Sequence, residues 1–307
     1  EMQRSLVGSE MCIRDSYLGV FSSVEIKDLL LLQSSDLYDD NIPESHHLYM
    51  IFGFEKFYVD SVTKNETKEN ELIVKVKTAD EALELIWEDE ENIVSFDKSL
   101  DNRCVIINGV TYQILDLILD SIIKNGNQIV SEILYIGQAK GRTESRNTGK
   151  RLASHKTLQR ILADCHDYKK DVDVRVVSFS IGENVMWTTL TTPETSNAKI
   201  EDIYEPKSKE FKLKISDASL INLVEAKLIN YLKPEYNDVY KNKSVPSKEH
   251  KTYIEYNKFF NSMNIDLSKL DNFYFKQPNI DFNPRRQFIS NKLNPTEYME
   301  IIRDSLY

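Results

Sequence analysis

The stretch ILYIGQA, residues 133–139, decides the fold of this chain. An apolar run with β-branched residues that stops at a glycine predicts a buried strand, here over residues 128–137. Two further stretches belong with it: RLASH at 151–155 and EAKLINYLKPEYN at 225–237. The second of these predicts a helix that ends before Pro234, because the residue preceding a proline is kept out of the helical region.

The segments between these stretches complete an alternating pattern. Apolar residues on one face predict a helix over residues 150–166, and alternating valines predict a strand over 173–181. Ser216 or Asp217 is placed to cap a helix over 218–232. The predicted order is therefore strand, helix, strand, helix.

Together, the three stretches resemble the core of the GIY-YIG nucleases over residues 105–240. The chain has the tyrosine and glycine of the second tripeptide, an arginine four positions before a histidine, and a glutamate 12 residues before an asparagine. The resemblance implies an α/β (α+β) domain in which a small central three-stranded sheet is flanked by helices. It also implies an enzyme, a metal-dependent endonuclease that hydrolyses the phosphodiester bonds of DNA.

The resemblance gives each matching residue a role. Tyr135 would lie near the attacking water as a candidate base, and Arg151 would clamp the scissile phosphate. His155 takes the place of a histidine that assists in some members. Glu225 would be the sole protein ligand of one hard cation, Mg²⁺ or Mn²⁺, which keeps most of its waters. Asn237 would support the substrate-binding shape of the site.

The first tripeptide of the family, Gly-Ile-Tyr, is missing at its usual distance before Tyr135. The upstream candidate is GVTY at residues 109–112, with Tyr112 as the second catalytic phenol. This choice requires a helix over residues 113–124 to be inserted between the first two strands of the domain. The loop that follows Gly137 is also longer than in compact members.

Basic residues cluster around this loop, although the net charge is −10. Residues 1–100 hold nine Lys and Arg against 22 Asp and Glu, whereas residues 101–307 hold 30 against 27. A local basic patch attracts a phosphate backbone whatever the total charge, while a solvated helix face and loop is the plainer interpretation. The predicted DNA contacts are Lys140, Arg142, Arg146 and Lys150.

The flanking segments carry no motif with a chemical interpretation. Residues 17–104 predict an acidic α+β unit whose role stays open. It would bind a protein partner or a second copy in a homodimer, mimic the charge of nucleic acid to gate the site, or simply complete the core. Strands are predicted over 48–59 and 71–77, and the capping box of Thr78 and Glu81 predicts a helix over 82–87. Residues 241–307 are expected to be a C-terminal extension. Residues 1–16 resemble a translated sequencing-adapter read-through, so no fold prediction uses these sixteen residues.

Composition sets the class of protein. The chain is 41% hydrophobic and 29% charged, as in ordinary globular proteins. No stretch reaches the roughly 18 uncharged apolar residues that a membrane span needs. Three widely spaced cysteines fit a reducing cytoplasm better than a disulfide framework. The expected partner is DNA, without membrane contact.

Two alternatives stay open at the level of sequence. The acidic total charge and the missing tripeptide are also compatible with a catalytically decayed GIY-YIG fold that binds nucleic acid or regulates another protein. An RNA substrate is the second alternative. Recognition of the 2′-hydroxyl distinguishes RNA from DNA, and no feature of the sequence indicates whether this group is bound.

Overall fold

The computed structural model describes residues 17–32, 42–78, 82–88, 93–139, 152, 155–167, 170–190, 217–242, 262–278, 280–287 and 289–292. This part of the chain is a mixed α+β fold with more strand than helix. Its helices are α1 (Ile114–Asn125), α2 (Lys156–His166) and α3 (Asp217–Leu232), with a 3₁₀ turn at Ser268–Leu270. Its strands are β1 (Tyr17–Leu32), β2 (Leu48–Glu55), β3 (Tyr58–Lys64), β4 (Glu71–Lys77), β5 (Ala82–Glu88), β6 (Phe96–Lys98), β7 (Cys104–Ile107), β8 (Val110–Gln113), β9 (Ile129–Gln138), β10 (Val172–Leu190), β11 (Ser262–Asp266), β12 (Phe273–Gln277), β13 (Ile280–Phe282) and β14 (Ile289–Lys292).

The largest sheet has the strand order β13-β12-β9-β2-β10-β1-β11-β14. Within it, β2 is antiparallel to both β9 and β10. Because successive side chains of a strand point to opposite faces, Met50 packs with α1 and α3, whereas Tyr49 packs with α2. Both faces of β2 are therefore covered, which explains its nearly continuous apolar sequence.

Residues 56–128 connect β2 to β9, and we call this long segment the insertion. It carries two small antiparallel sheets, β3-β4-β5 and β6-β7-β8, followed by α1. Arg103 forms a salt bridge with Asp173, and Arg175 binds the Asp116 carboxylate at 2.8 Å. These ion pairs join the insertion to β10, so it packs against the main sheet.

Several predicted elements are confirmed to within one or two residues. These are the strands predicted over 71–77 and 128–137 and the helices predicted over 113–124 and 218–232. Gly126 ends α1 in the left-handed conformation, at φ 64°, which a glycine adopts without strain. The strand predicted over 48–59 is broken after Glu55, where β2 ends and β3 soon begins.

The helix predicted over residues 82–87 is wrong. These residues form β5, which pairs with β4 along its whole length. Leu85 and Trp87 turn toward the core while Ile86 stays 60% exposed, so burial follows the strand period of two. The capping-box pattern favours a helix, but pairing with the neighbouring strand β4 outweighs it. That pairing cannot be predicted from the local sequence.

The main sheet also crosses the predicted domain boundaries. It takes β1 and β2 from residues 17–104, β9 and β10 from 105–240, and β11 to β14 from 241–307. The three predicted segments therefore share one sheet. No helix in the described ranges is long and apolar enough to cross a membrane.

Candidate active site

Three rings meet where β2, β9 and the start of α2 come together. The rings of Tyr49 and Tyr135 are stacked with centroids 6.1 Å apart. The imidazole of His155 lies 5.0 Å from the Tyr135 ring and 6.0 Å from the Tyr49 ring. Tyr49 is fully buried and His155 nearly so, whereas Tyr135 keeps partial access to solvent. We call these three residues the aromatic cluster.

Gly137 makes room for the phenol of Tyr49. The two residues are directly opposite in the antiparallel pair of β2 and β9. A Cβ atom at Gly137 would lie 2.5 Å from Tyr49 Oη and 2.7 Å from Cε1 of Tyr135. Such contacts are too short for any side chain, so a glycine here is a condition for stacking the two tyrosines.

His155 is the N-cap of α2 rather than a residue within it. Its φ of −87° and ψ of 108° are extended, and its Nδ1 accepts a hydrogen bond from the Leu158 N–H at 3.3 Å. A neutral imidazole that accepts at Nδ1 carries its proton at Nε2. The ring can therefore donate one hydrogen bond beside the two phenols. The helix predicted over 150–166 begins at Lys156.

Asn237 braces β9 between Tyr135 and Gly137. Its Nδ2 donates to the Ile136 carbonyl at 2.8 Å, and its Oδ1 accepts from the Ile136 N–H at 2.9 Å. The pairing of β12 with β9 ends at Ser131, so at this height Asn237 takes the place of a neighbouring strand. The side chain is only 5% exposed.

Glu225 lies on α3, which packs on the face of the sheet opposite the aromatic cluster. The glutamate is half-buried. Asn222 lies one turn earlier on the same side of the helix, and it accepts a hydrogen bond from Gln138 Nε2 at 2.6 Å. This contact places the Glu225 side of α3 next to the end of β9, where the sheet edge is not covered by β12.

The Glu225 carboxylate at this edge of the sheet is a suitable ligand type for a hard cation. A carboxylate oxygen is the ligand type that Mg²⁺ and Mn²⁺ prefer, and Mg²⁺ is often held by one or two carboxylates with waters completing the shell. Within the described ranges, no group of three His, Cys, Asp or Glu side chains comes together. Glu225 fits a site with one protein ligand.

Tyr112 does not join the aromatic cluster. It lies on β8, in a different sheet, and its ring packs against Trp87 with centroids 5.4 Å apart. Tyr49 occupies the place beside Tyr135 that the sequence assigned to Tyr112. The sequence offered little indication of Tyr49. The tripeptide HLY at 47–49 lacks the glycine and isoleucine of the family motif, and Tyr49 lies 86 residues before Tyr135.

The residues predicted to contact phosphate and DNA belong to one basic stretch of the chain. Arg151, Lys140, Arg142, Arg146 and Lys150 lie outside the described residues. Of the same basic stretch, Arg160 on α2 is described: its side chain is 68% exposed, and its guanidinium lies 5.5 Å above the Tyr236 ring. Tyr236 Oη donates to Asp164 Oδ2 at 3.0 Å, and burial together with that carboxylate raises the pKa of Tyr236 well above its ordinary value.

Comparison of the chain with protein-family models, with curated proteins and with solved structures finds no match.

Proposed function

We propose that the protein is a metal-dependent endonuclease that hydrolyses DNA phosphodiester bonds at a GIY-YIG-type active site. The observation that carries the proposal is the stacking of Tyr49 and Tyr135 over Gly137, with His155 against both rings. The tyrosine and glycine of ILYIGQA thus have a geometric reason to occur together.

The arrangement of strands also supports the proposal. β2 lies between β9 and β10, with α2 on one face and α3 on the other. These three strands are part of an eight-stranded sheet, and their flanking helices are compatible with the small three-stranded domain that the sequence resemblance implies. In this assignment Tyr49 is the tyrosine of the first motif, and residues 56–128 are an insertion between the two motif strands.

Hydrolysis of a phosphodiester needs a positioned water, an acceptor for its proton and positive charge near the phosphoryl oxygens. Tyr135, which keeps partial solvent access, would orient the water and take its proton, and Tyr49 would assist this proton transfer through its phenol oxygen. His155 would donate from Nε2 within the cluster. Arg151 would bind the phosphate. Glu225 lies on the opposite face of the sheet from these rings, so a cation that it held would supply Lewis-acid stabilisation to a phosphate bound across the open end of β9, where the two faces meet.

DNA is the proposed substrate because the basic residues lie beside this site. Lys156 and Arg160 lie four residues apart on α2, directly after His155, and both are exposed. Arg160 is held over an aromatic ring, which orients its guanidinium before a phosphate arrives. A cytoplasmic location is part of the proposal, and the free thiols of Cys104 and Cys165 support it.

Glu225→Gln tests the proposal, with Glu84→Gln as the matched control. Glu84 is an exposed carboxylate on β5, outside the site. We expect Glu225→Gln to lower metal-dependent nicking of supercoiled plasmid by roughly 10³-fold, because several kcal/mol of charge stabilisation depend on the cation. DNA binding and the melting temperature should stay near wild type, and Glu84→Gln should cleave normally.

Two results would overturn the proposal. One is full activity in Glu225→Gln. The other is a folded wild-type protein that binds DNA in a salt-sensitive manner but cleaves no substrate with Mg²⁺ or Mn²⁺. The second result would favour a decayed nuclease fold that acts as a binding module.

A further inference from the structure

Helix α3 packs on the sheet through an almost continuous apolar surface. Its buried apolar residues are Leu220, Ile221, Leu223, Val224, Ala226, Leu228, Ile229 and Leu232. Well-packed apolar side chains hold the helix against the sheet and limit its rotation. Directional bonds set the finer orientation of a polar side chain, on which a metal ligand depends.

Two sets of hydrogen bonds connect α3 and the turn after it to β9. After the helix, the Tyr236 N–H donates to the Leu134 carbonyl at 3.0 Å, and Asn237 binds both polar groups of the Ile136 backbone. Toward the start of the helix, Gln138 Nε2 donates to Asn222 Oδ1 at 2.6 Å. Glu225 lies between these attachments, three residues after Asn222.

The bond between Gln138 and Asn222 joins two parts of the proposed site. Gln138 follows Gly137 directly, so it is fixed to the strand that carries Tyr135. Asn222 and Glu225 are neighbours on the surface of α3, because residues three apart in a helix share one side. Both amides are half-buried, where water competes less well for the bond.

We propose that the bond between Gln138 and Asn222 positions Glu225 for its cation, which makes both amides positioning residues of the metal site. This inference rests on the proposed function. Removing the bond loosens the side of α3 that carries Glu225, so the carboxylate meets the cation less often in the productive geometry. Groups that orient a metal ligand typically change metal affinity by about 10–100-fold when they are lost.

The test uses Gln138→Ala, Asn222→Ala, their combination, and the exchanged pair Gln138→Asn with Asn222→Gln. The exchanged pair keeps two amides and the total side-chain length. Asn230→Ala is the matched control, because Asn230 lies on the same helix but donates to the Tyr240 carbonyl at 3.0 Å, away from β9. Mn²⁺ affinity is measured by calorimetry without DNA, and the metal concentration for half-maximal nicking is measured in parallel.

Each single variant should need about 10-fold more metal in both measurements. The double variant should be no worse than either single variant, because both lose the same bond. The exchanged pair should recover most of the affinity, and Asn230→Ala should bind Mn²⁺ normally. The rate at saturating metal should stay within about threefold of wild type, which separates lost positioning from general damage to the site.

Unchanged Mn²⁺ affinity in both single variants would overturn the inference. The proposed function would still stand if the wild-type protein binds Mn²⁺ and cleaves DNA. A lower maximal rate at unchanged metal affinity would also overturn it. A wild-type protein that binds no Mn²⁺ and cleaves no DNA would overturn the proposed function and this inference together.

Discussion

At the scale of the residue, Tyr135 and Gly137 show how much of a site the sequence of a single β-strand can predict. Their role at the end of a buried strand follows from local pattern alone. Their partner Tyr49 does not, because the two tyrosines meet only after β2 and β9 have paired. Local sequence reports neither the pairing nor the ring contact, so the sequence favoured Tyr112, a tyrosine closer along the chain.

Lys227 offers a prediction about stability at the same scale. It is 4% exposed on α3, and burial lowers its pKa to about 8. An unfolded chain keeps a lysine pKa of roughly 10.4, so the unfolded state binds more protons between about pH 8 and pH 10. The free energy of unfolding of the wild type should therefore rise with pH across this window.

Lys227→Met should remove both the cost of burying the ammonium and this pH dependence. We expect the free energy of unfolding to increase by about 3 kcal/mol at pH 7. The difference from wild type should shrink as the pH rises from about 8 toward roughly 10.4, because the wild-type lysine is neutral in both states only above that pH. Urea denaturation at pH 7, 8, 9 and 10 measures it.

Lys124→Met provides the control, because Lys124 is a lysine on α1 with 72% of its side chain exposed. Its effect should stay within about 0.5 kcal/mol at every pH. A Lys227→Met protein that is less stable than wild type across the whole range would contradict the assignment of this lysine as a buried, destabilising charge.

At the scale of the element, β9 is the strand on which the candidate site depends. Along its outer edge, β12 pairs only as far as Ser131, and beyond it Gln277 Nε2 donates to the Ile133 carbonyl at 3.2 Å. Tyr236 and Asn237 complete this edge. Sequence could predict the strand and the turn after α3, but not that the turn folds back to serve as a substitute strand.

Asn237→Ala should destabilise the fold by about 3 kcal/mol. It leaves the buried N–H and carbonyl of Ile136 without their side-chain partner, and each unsatisfied group costs about 1–3 kcal/mol. The free energy of unfolding, measured in urea, tests this expectation.

Asn272→Ala is the comparison for this prediction. Its amide donates to the Asn127 carbonyl at 3.0 Å in an exposed contact, which water can replace, and to the Ile122 carbonyl at a longer 3.4 Å. We expect a loss of less than about 1 kcal/mol there. Equal losses in the two variants would show that Asn237 does not brace β9 in the way its two hydrogen bonds indicate.

At the scale of the whole molecule, the insertion between β2 and β9 explains why the domain organisation was hard to predict. The sequence placed a boundary near residue 104, yet β2 lies in the middle of the main sheet and the insertion is joined to β10 by Arg103 and Arg175. Local patterns identified the three helices and the strands β2, β4, β9 and β10 on either side of this boundary. They carried no information on which strands pair across more than 70 residues, and such pairing decides both the sheet and the site.

The most direct test of the account compares Tyr49→Phe with Tyr112→Phe in plasmid nicking with Mg²⁺ or Mn²⁺. Phenylalanine keeps each ring and removes only the phenol oxygen. We expect wild type to nick the plasmid, Tyr49→Phe to lose about 10²-fold in rate, and Tyr112→Phe to retain full activity. Loss in Tyr112→Phe without loss in Tyr49→Phe, or no nicking by folded wild-type protein, would contradict an active site built from β2 and β9.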